Sequence, residues 1–244
     1  ISKPMQISNL MVRLMECGSP YGNGSYQTPI DQELVPFEDY VAGVAYAEIG
    51  PSAPIEAIKA QMVAARSFAL ARPTGMGNSA GKKLEEENGK WILQISSCVA
   101  DQVFCNINEG CSFMGGGDGQ GGICRSGHVP GAVRTRQPLA ADHQIRTASA
   151  ATAGEVLVNS DGYIIQAGYV STDTNEFTRL AKEGKDYKQI LLEVYNSSRR
   201  SYGAANVDKM SCNTGTSSCG NVSSGPYASW KQYQGPWVSI PLGN

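Results

Sequence analysis

No apolar run in this 244-residue chain reaches the roughly 18 residues that a membrane span needs, so no segment is expected to cross a bilayer as a helix. Charge of either sign is not in excess. Twenty Lys and Arg stand against 22 Asp and Glu, for a formal net charge of −2 and a pI near 5.8. That balance offers no argument for a nucleic-acid partner, which would need a basic surface. The glycine run 115–122 (GGGDGQGG) lacks the lysine and the strand–loop–helix setting of a phosphate-binding loop. Nor does the chain open on a signal peptide; it begins Ile-Ser-Lys-Pro, as expected of a mature, processed start.

Cysteine, by contrast, is plentiful. Seven are more than a cytosolic protein outside the metal and redox families carries, and their spacing points to disulfides in an exported chain. Cys212 and Cys219 enclose a six-residue loop that can close locally. Cys98, Cys105, Cys111, Cys124 and His128 also admit a zinc site. However, the spacings of 6, 13 and 4 from Cys105 to His128 form no pair of C-x-x-C hooks, so disulfide-stapled loops are expected ahead of zinc and no cofactor is assigned. The odd cysteine must stay free or pair outside the chain, which admits self-association.

The most informative stretch runs from Pro36 to Pro73 and reads as two helices joined by a turn. In the first, Phe37, Tyr40, Val41, Val44 and Glu48 follow helical spacing, which puts Glu48 within about 20° of the centre of the apolar stripe. Gly50-Pro51-Ser52-Ala53-Pro54 ends that helix. The second, from Ile55 to Arg72, is rich in alanine, and Lys59 and Arg66 project at about 20–40° from Ile55 on its apolar face. A carboxylate and two cations on apolar faces must be ion-paired or must line a cleft. The first alternative is a structural pair between helices; the second is a general acid with its pKa raised by burial.

Elsewhere the pattern predicts a strand within Met5–Leu14, a short exposed helix at Lys82–Glu87 and a strand from Trp91. It also predicts β-structure from Thr147 to Val158, an Asp161-Gly162 hairpin turn, and a returning strand from Tyr163 to Tyr169. Residues 197–226, rich in Ser, Gly and Asn, read as a linker.

The helical pair resembles the SpoIID/LytB family, whose members carry L-E-D-Y-x-x-G-V-x-x-x-E-M-P followed by L-K-A-Q-A-V-A-A-R-T-Y-A. The matches are Phe37-Glu38-Asp39-Tyr40, Gly43-Val44 and Glu48-Ile49, then Ile58-Lys59-Ala60-Gln61 and Ala64-Ala65-Arg66-Ser67-Phe68-Ala69. Asp101-Gln102-Val103-Phe104, Gly154 to Thr172 and the segment Leu180–Tyr195, similar to a closing helix, extend the resemblance over 34–196. Residues 1–33 are left as an N-terminal strand and loop. Residues 197–244 are left as a linker leading to a tail, from Trp230, similar to the opening of a wall-hydrolase domain.

The resemblance implies an α+β fold, with a twisted, mainly antiparallel sheet packed on the helical pair. It implies an extracellular or cell-envelope lytic transglycosylase acting on the MurNAc–GlcNAc strands of peptidoglycan, with Glu48 as catalytic acid. A single carboxylate suits that reaction, because the 6-hydroxyl of muramic acid is an internal nucleophile. Lys59, Arg66, Gln102, Tyr169, Ser171 and Thr172 are the implied substrate-binding residues; read by itself, Gln102 is equally an ordinary strand residue. The chain lacks the family's G-H-G-x-G-M-S-Q segment: Ser171 and Leu180 are nine residues apart, and its two histidines, His128 and His143, lie elsewhere. A non-catalytic glycan-binding or structural module and an amidase activator therefore stand as alternatives.

Overall fold

The computed structural model describes residues 7–15, 34–70, 83–96, 102–108, 111–113, 132–134, 138–157, 164, 167–168, 171–196 and 237–239. A short 3-10 turn, Ile7–Asn9, leads into strand β1, Leu10–Met15. After β2, Val35–Pro36, comes helix α1, Phe37–Glu48. Glu38 and Asp39 lie in its first turn, where negative charge favours the helix dipole. The helix closes where the Ile49 and Gly50 amides both donate to the Ala45 carbonyl, with Gly50 at φ +83°, a conformation that a side chain disfavours.

Helix α2, Ile55–Leu70, is the centre of the fold, touching α1, α3 (Gln144–Thr152), α4 (Ser171–Lys182), α5 (Tyr187–Asn196) and β7 (Glu155–Leu157). Twelve of its sixteen residues are buried, so it has neighbours almost all round, and its alanines let them approach closely. One core joins Ile58, Met62 and Ala65 to α1, β1, Leu93 and Phe104. A second joins Ala57, Ala60, Val63 and Ala64 to Leu157, Phe177, Leu180, Ile190 and Leu191.

The expected α+β class holds, but the sheet is mixed, not mainly antiparallel. Its order is β2-β1-β4-β3, with β3 spanning Lys83–Glu87 and β4 spanning Lys90–Ser96. β1 and β4 pair in parallel from Leu10 opposite Trp91 to Met15 opposite Ser96, while β2 and β3 join as antiparallel edges. The helical pair supplies the long crossover that a parallel pair requires. Two small antiparallel pairs, β5 (Cys111–Phe113) with β6 (Ala132–Arg134), and β7 with β8 (Trp237–Ser239), complete the described strands.

Four local readings are corrected. Lys83–Glu87 is a strand, not a helix: Asn88 (φ 52°) and Gly89 (φ 76°) make a tight hairpin turn that pairs it with β4. Gln144–Thr152 is a helix, not a strand. Ile145, Ala148 and Thr152 are buried at helical spacing, and the His143 side chain accepts from the Ile145 amide to cap it. Ser171 and Thr172, which the family resemblance sets at the end of the returning strand, open helix α4 instead. The expected closing helix is split, because Gly184 (φ 88°) stops α4 and a reciprocal cap between Asp186 and Gln189 starts α5. The Asp161-Gly162 turn, the Cys212 and Cys219 pair and Tyr169 lie outside the described residues. Of the C-terminal tail, Trp237–Ser239 lies against β7.

Candidate functional site

Glu48 ends α1 half-buried, and its Oε1 accepts one hydrogen bond, at 2.9 Å, from the backbone amide of Val103. Burial raises its pKa above the ordinary glutamate range, and the Val103 bond, which favours the anion, opposes that in part. Among the described residues no cation pairs with it. A carboxyl that holds its proton to higher pH, without a neutralising partner, has the chemistry of a general acid.

Val103 is held in place by an irregular segment, Gln102 to Asn108, laid across α1. Gly43 makes this possible. A Cβ there would lie 2.2 Å from the Cys105 carbonyl oxygen and 2.5 Å from the Phe104 ring, and the Gly43 carbonyl accepts from the Cys105 amide at 3.3 Å. Phe104 stacks on Tyr40 at 5.4 Å between ring centroids, and Cys105 is buried and disulfide-bonded. At the far end Asn108 donates to Asp39 and accepts from Arg146.

Gln102 is fully buried: its Oε1 accepts from the Tyr40 hydroxyl at 2.9 Å, and its Nε2 donates to the Ala65 carbonyl at 3.0 Å. It thus ties both helices to the segment that holds Glu48. Burial, and then the Glu48 charge, raise the Tyr40 pKa, so that hydroxyl stays a donor. On the other flank Gln144 Nε2 donates to the Pro51 and Ala53 carbonyls, anchoring the turn that follows Glu48.

The two cations on α2 turn elsewhere. Arg66, with no exposed surface, forms a two-pronged ion pair with Glu38, Nε to Oε1 at 2.9 Å and NH2 to Oε2 at 2.7 Å, and its NH1 donates to the Glu155 carbonyl. Glu38 also accepts from the Gly154 amide, so the pair fastens α1, α2 and the α3–β7 junction together. Lys59 pairs with Glu56 at 2.6 Å and lies over the Tyr187 ring. The inter-helix ion pair that α2 could hold therefore exists, but with Glu38 and not Glu48.

Of the residues proposed for the site, the structure joins Glu48 with the segment that Gln102 anchors. It draws Arg66 and Lys59 into other contacts and puts Ser171 and Thr172 at the start of α4. Sequence reasoning missed Glu38, Tyr40 and Val103 as functional neighbours. The first two were legible as polar residues within the motif; Val103 contributes only a backbone amide, which no side chain announces. Among the described residues no His, Cys, Asp or Glu cluster is arranged to hold a metal. Cys105 is engaged in a disulfide, and the side chains of Cys98, Cys111, Cys124 and His128 lie outside the described ones.

No curated protein and no solved structure matches the chain. The family described as SpoIID, stage II sporulation protein, matches residues 27–159, over half of the chain and the whole run from α1 to β7. That span holds Glu48, the Arg66–Glu38 clamp and the Gln102–Asn108 segment, and on this match the chain belongs to the SpoIID family.

Proposed function

We propose that the chain is a peptidoglycan-directed lytic transglycosylase that cleaves MurNAc–GlcNAc strands to 1,6-anhydro products. Its family ties it to sporulation and the cell wall, and no helix among the described residues is long and apolar enough to cross a membrane. Both fit work on the glycan of the cell envelope. The observation that carries the reading is Glu48: a half-buried carboxyl with a raised pKa, one backbone donor and, among the described residues, no cation.

In this scheme Glu48 donates its proton to the glycosidic oxygen as the bond to the muramic C1 breaks. Its carboxylate then takes the proton from the 6-hydroxyl, whose oxygen closes on C1 to give the anhydro ring. No external water is needed as nucleophile, so one carboxylate suffices. Val103 sets the carboxyl's direction, and Gln102 acts through that segment. Arg66 serves the frame through Glu38. Lys59, Tyr169, Ser171 and Thr172 remain proposed substrate contacts. Oxidised cysteines stapling the loops and a tail leading to another wall-hydrolase domain belong to the same proposal.

Incubation with purified peptidoglycan, intact and stripped of peptides by an amidase, tests it by mass spectrometry. Anhydro-muropeptides from the parent protein, lost in Glu48→Gln, are expected. A second reading, a non-catalytic glycan-binding module or amidase activator, draws on Arg66 and Gln102. Both are spent inside the fold, where they serve its frame and not a reacting sugar. Binding to peptidoglycan without anhydro products would select it.

A further inference from the structure

Gln61 lies in the middle of α2 with no exposed surface, and among the described residues neither its Nε2 nor its Oε1 has a hydrogen-bond partner. A buried amide left this way is costly, and native proteins nearly always satisfy such groups with protein or with an ordered water. Other polar side chains of α2 are committed: Arg66 to Glu38 and Glu155, Ser67 to the Val63 carbonyl and the Leu157 amide. The residues one turn away on either side, where a helix surface neighbour must lie, are Ala57, Ile58, Ala64 and Ala65, all fully buried. Three of these four are alanine, so the helix itself puts little bulk beside the amide.

We propose that Gln61 holds an internal water molecule enclosed between α2 and its neighbours. An amide that offers one acceptor and a donor group, enclosed beside alanines, fits a partner of water's size that can both donate and accept. Its complete burial excludes a sugar or any larger ligand. Ala65, one turn on, gives its carbonyl to Gln102, so the site lies about 6 Å along the helix from that bond. Helical side chains lean towards the N-terminus, which directs the amide towards the end of α2 joined to Glu48. The inference is independent of any catalytic activity.

Oxygen-17 relaxation dispersion on the folded protein counts long-lived internal waters. Gln61→Met keeps the length and removes the amide, and its dispersion amplitude should fall by one water relative to the parent. Gln61→Glu, a polar control of the same length, should retain it. Equal amplitudes in the parent and Gln61→Met would overturn the assignment. Should Gln61→Met fail to fold, a crystal structure of the parent decides. A density peak about 2.7–3.2 Å from Nε2 or Oε1 is expected. An amide bonded only to protein atoms, or facing a dry void, would refute it.

Discussion

Gly43→Ala reaches both the frame and the site through one added methyl group. The new Cβ would meet the Cys105 carbonyl oxygen at 2.2 Å and the Phe104 ring at 2.5 Å. An ordinary contact begins near 3.4 Å, so the backbone at Cys105 must retreat by about 1.2 Å. The obstacle is main chain and a ring with only 1 % exposure, so neither yields as a flexible side chain would. Overpacking of this kind costs about 1–3 kcal/mol. Against it stands the gain from replacing a helical glycine by alanine, about 0.5–1 kcal/mol, so the net loss lies between about 0 and 2.5 kcal/mol, in the upper part of that range because the obstacle is main chain.

Cys105 is two residues from Val103, whose amide is 2.9 Å from Glu48. A displacement of about 1 Å carried along the segment lengthens that bond beyond useful hydrogen-bond range. The bond stabilises the carboxylate, so its loss lets burial push the Glu48 pKa higher still. A general acid must be protonated, and the alkaline limb of the rate profile should therefore move to higher pH. Urea denaturation gives the stability change, and anhydro-product release against pH gives the second. Carbon-13 titration of the Glu48 carboxyl reads the shift without activity. An unchanged denaturation midpoint together with an unchanged Glu48 titration would refute the close-approach argument.

Glu48→Gln should lower anhydro-product release by about 10²–10⁴. Because the folded-state pKa of Glu48 is raised, its carboxylate burdens the fold as pH rises above the ordinary glutamate range, so the substitution should raise Tm at neutral pH and much less in acid; an equal change at both pH values would contradict this. Arg66→Met should cost about 3–5 kcal/mol in urea denaturation, towards the lower end because the Glu38 side chain is 19 % exposed, and a cost below about 1 kcal/mol would deny the clamp. Gln102→Leu leaves the Tyr40 hydroxyl and the Ala65 carbonyl without its amide, at about 1–3 kcal/mol for each group left unsatisfied, and it should reduce kcat more than KM if the segment positions Glu48. Equal loss of binding and turnover would return Gln102 to the role of substrate contact.

The two central helices were legible because their signals are local. Apolar spacing marked α1 and α2, and Gly50 with the flanking prolines marked the turn between them. The inward placement of Glu48 followed from the same periodicity. Asn88-Gly89 is an equally local hairpin signal, which the helix reading of Lys82–Glu87 passed over. Alanine and threonine after Arg146 fit either period, and the choice fell to the three positions that α3 buries against α1 and α2.

Partner choice is where sequence ended and tertiary structure began. Arg66 was assigned correctly to an inner position, whereas Lys59 is only part-buried; a helix surrounded on nearly every side has no single inner face, so angular position did not name a neighbour. Arg66 met Glu38 because α1 runs back along α2 to bring its first turn beside it; Lys59 pairs with Glu56 one turn back on its own helix, and only its place over Tyr187 depends on the docking of α5. The parallel pairing of β1 and β4, across a separation of about 80 residues, and the Val103 amide at Glu48 likewise depend on contacts far apart in the chain. The sequence by itself determined which residues would leave water, since that rests on periodicity and transfer free energy. Which of them meet was decided by the packing of α2, where close approach and the cost of an unpaired charge select one arrangement.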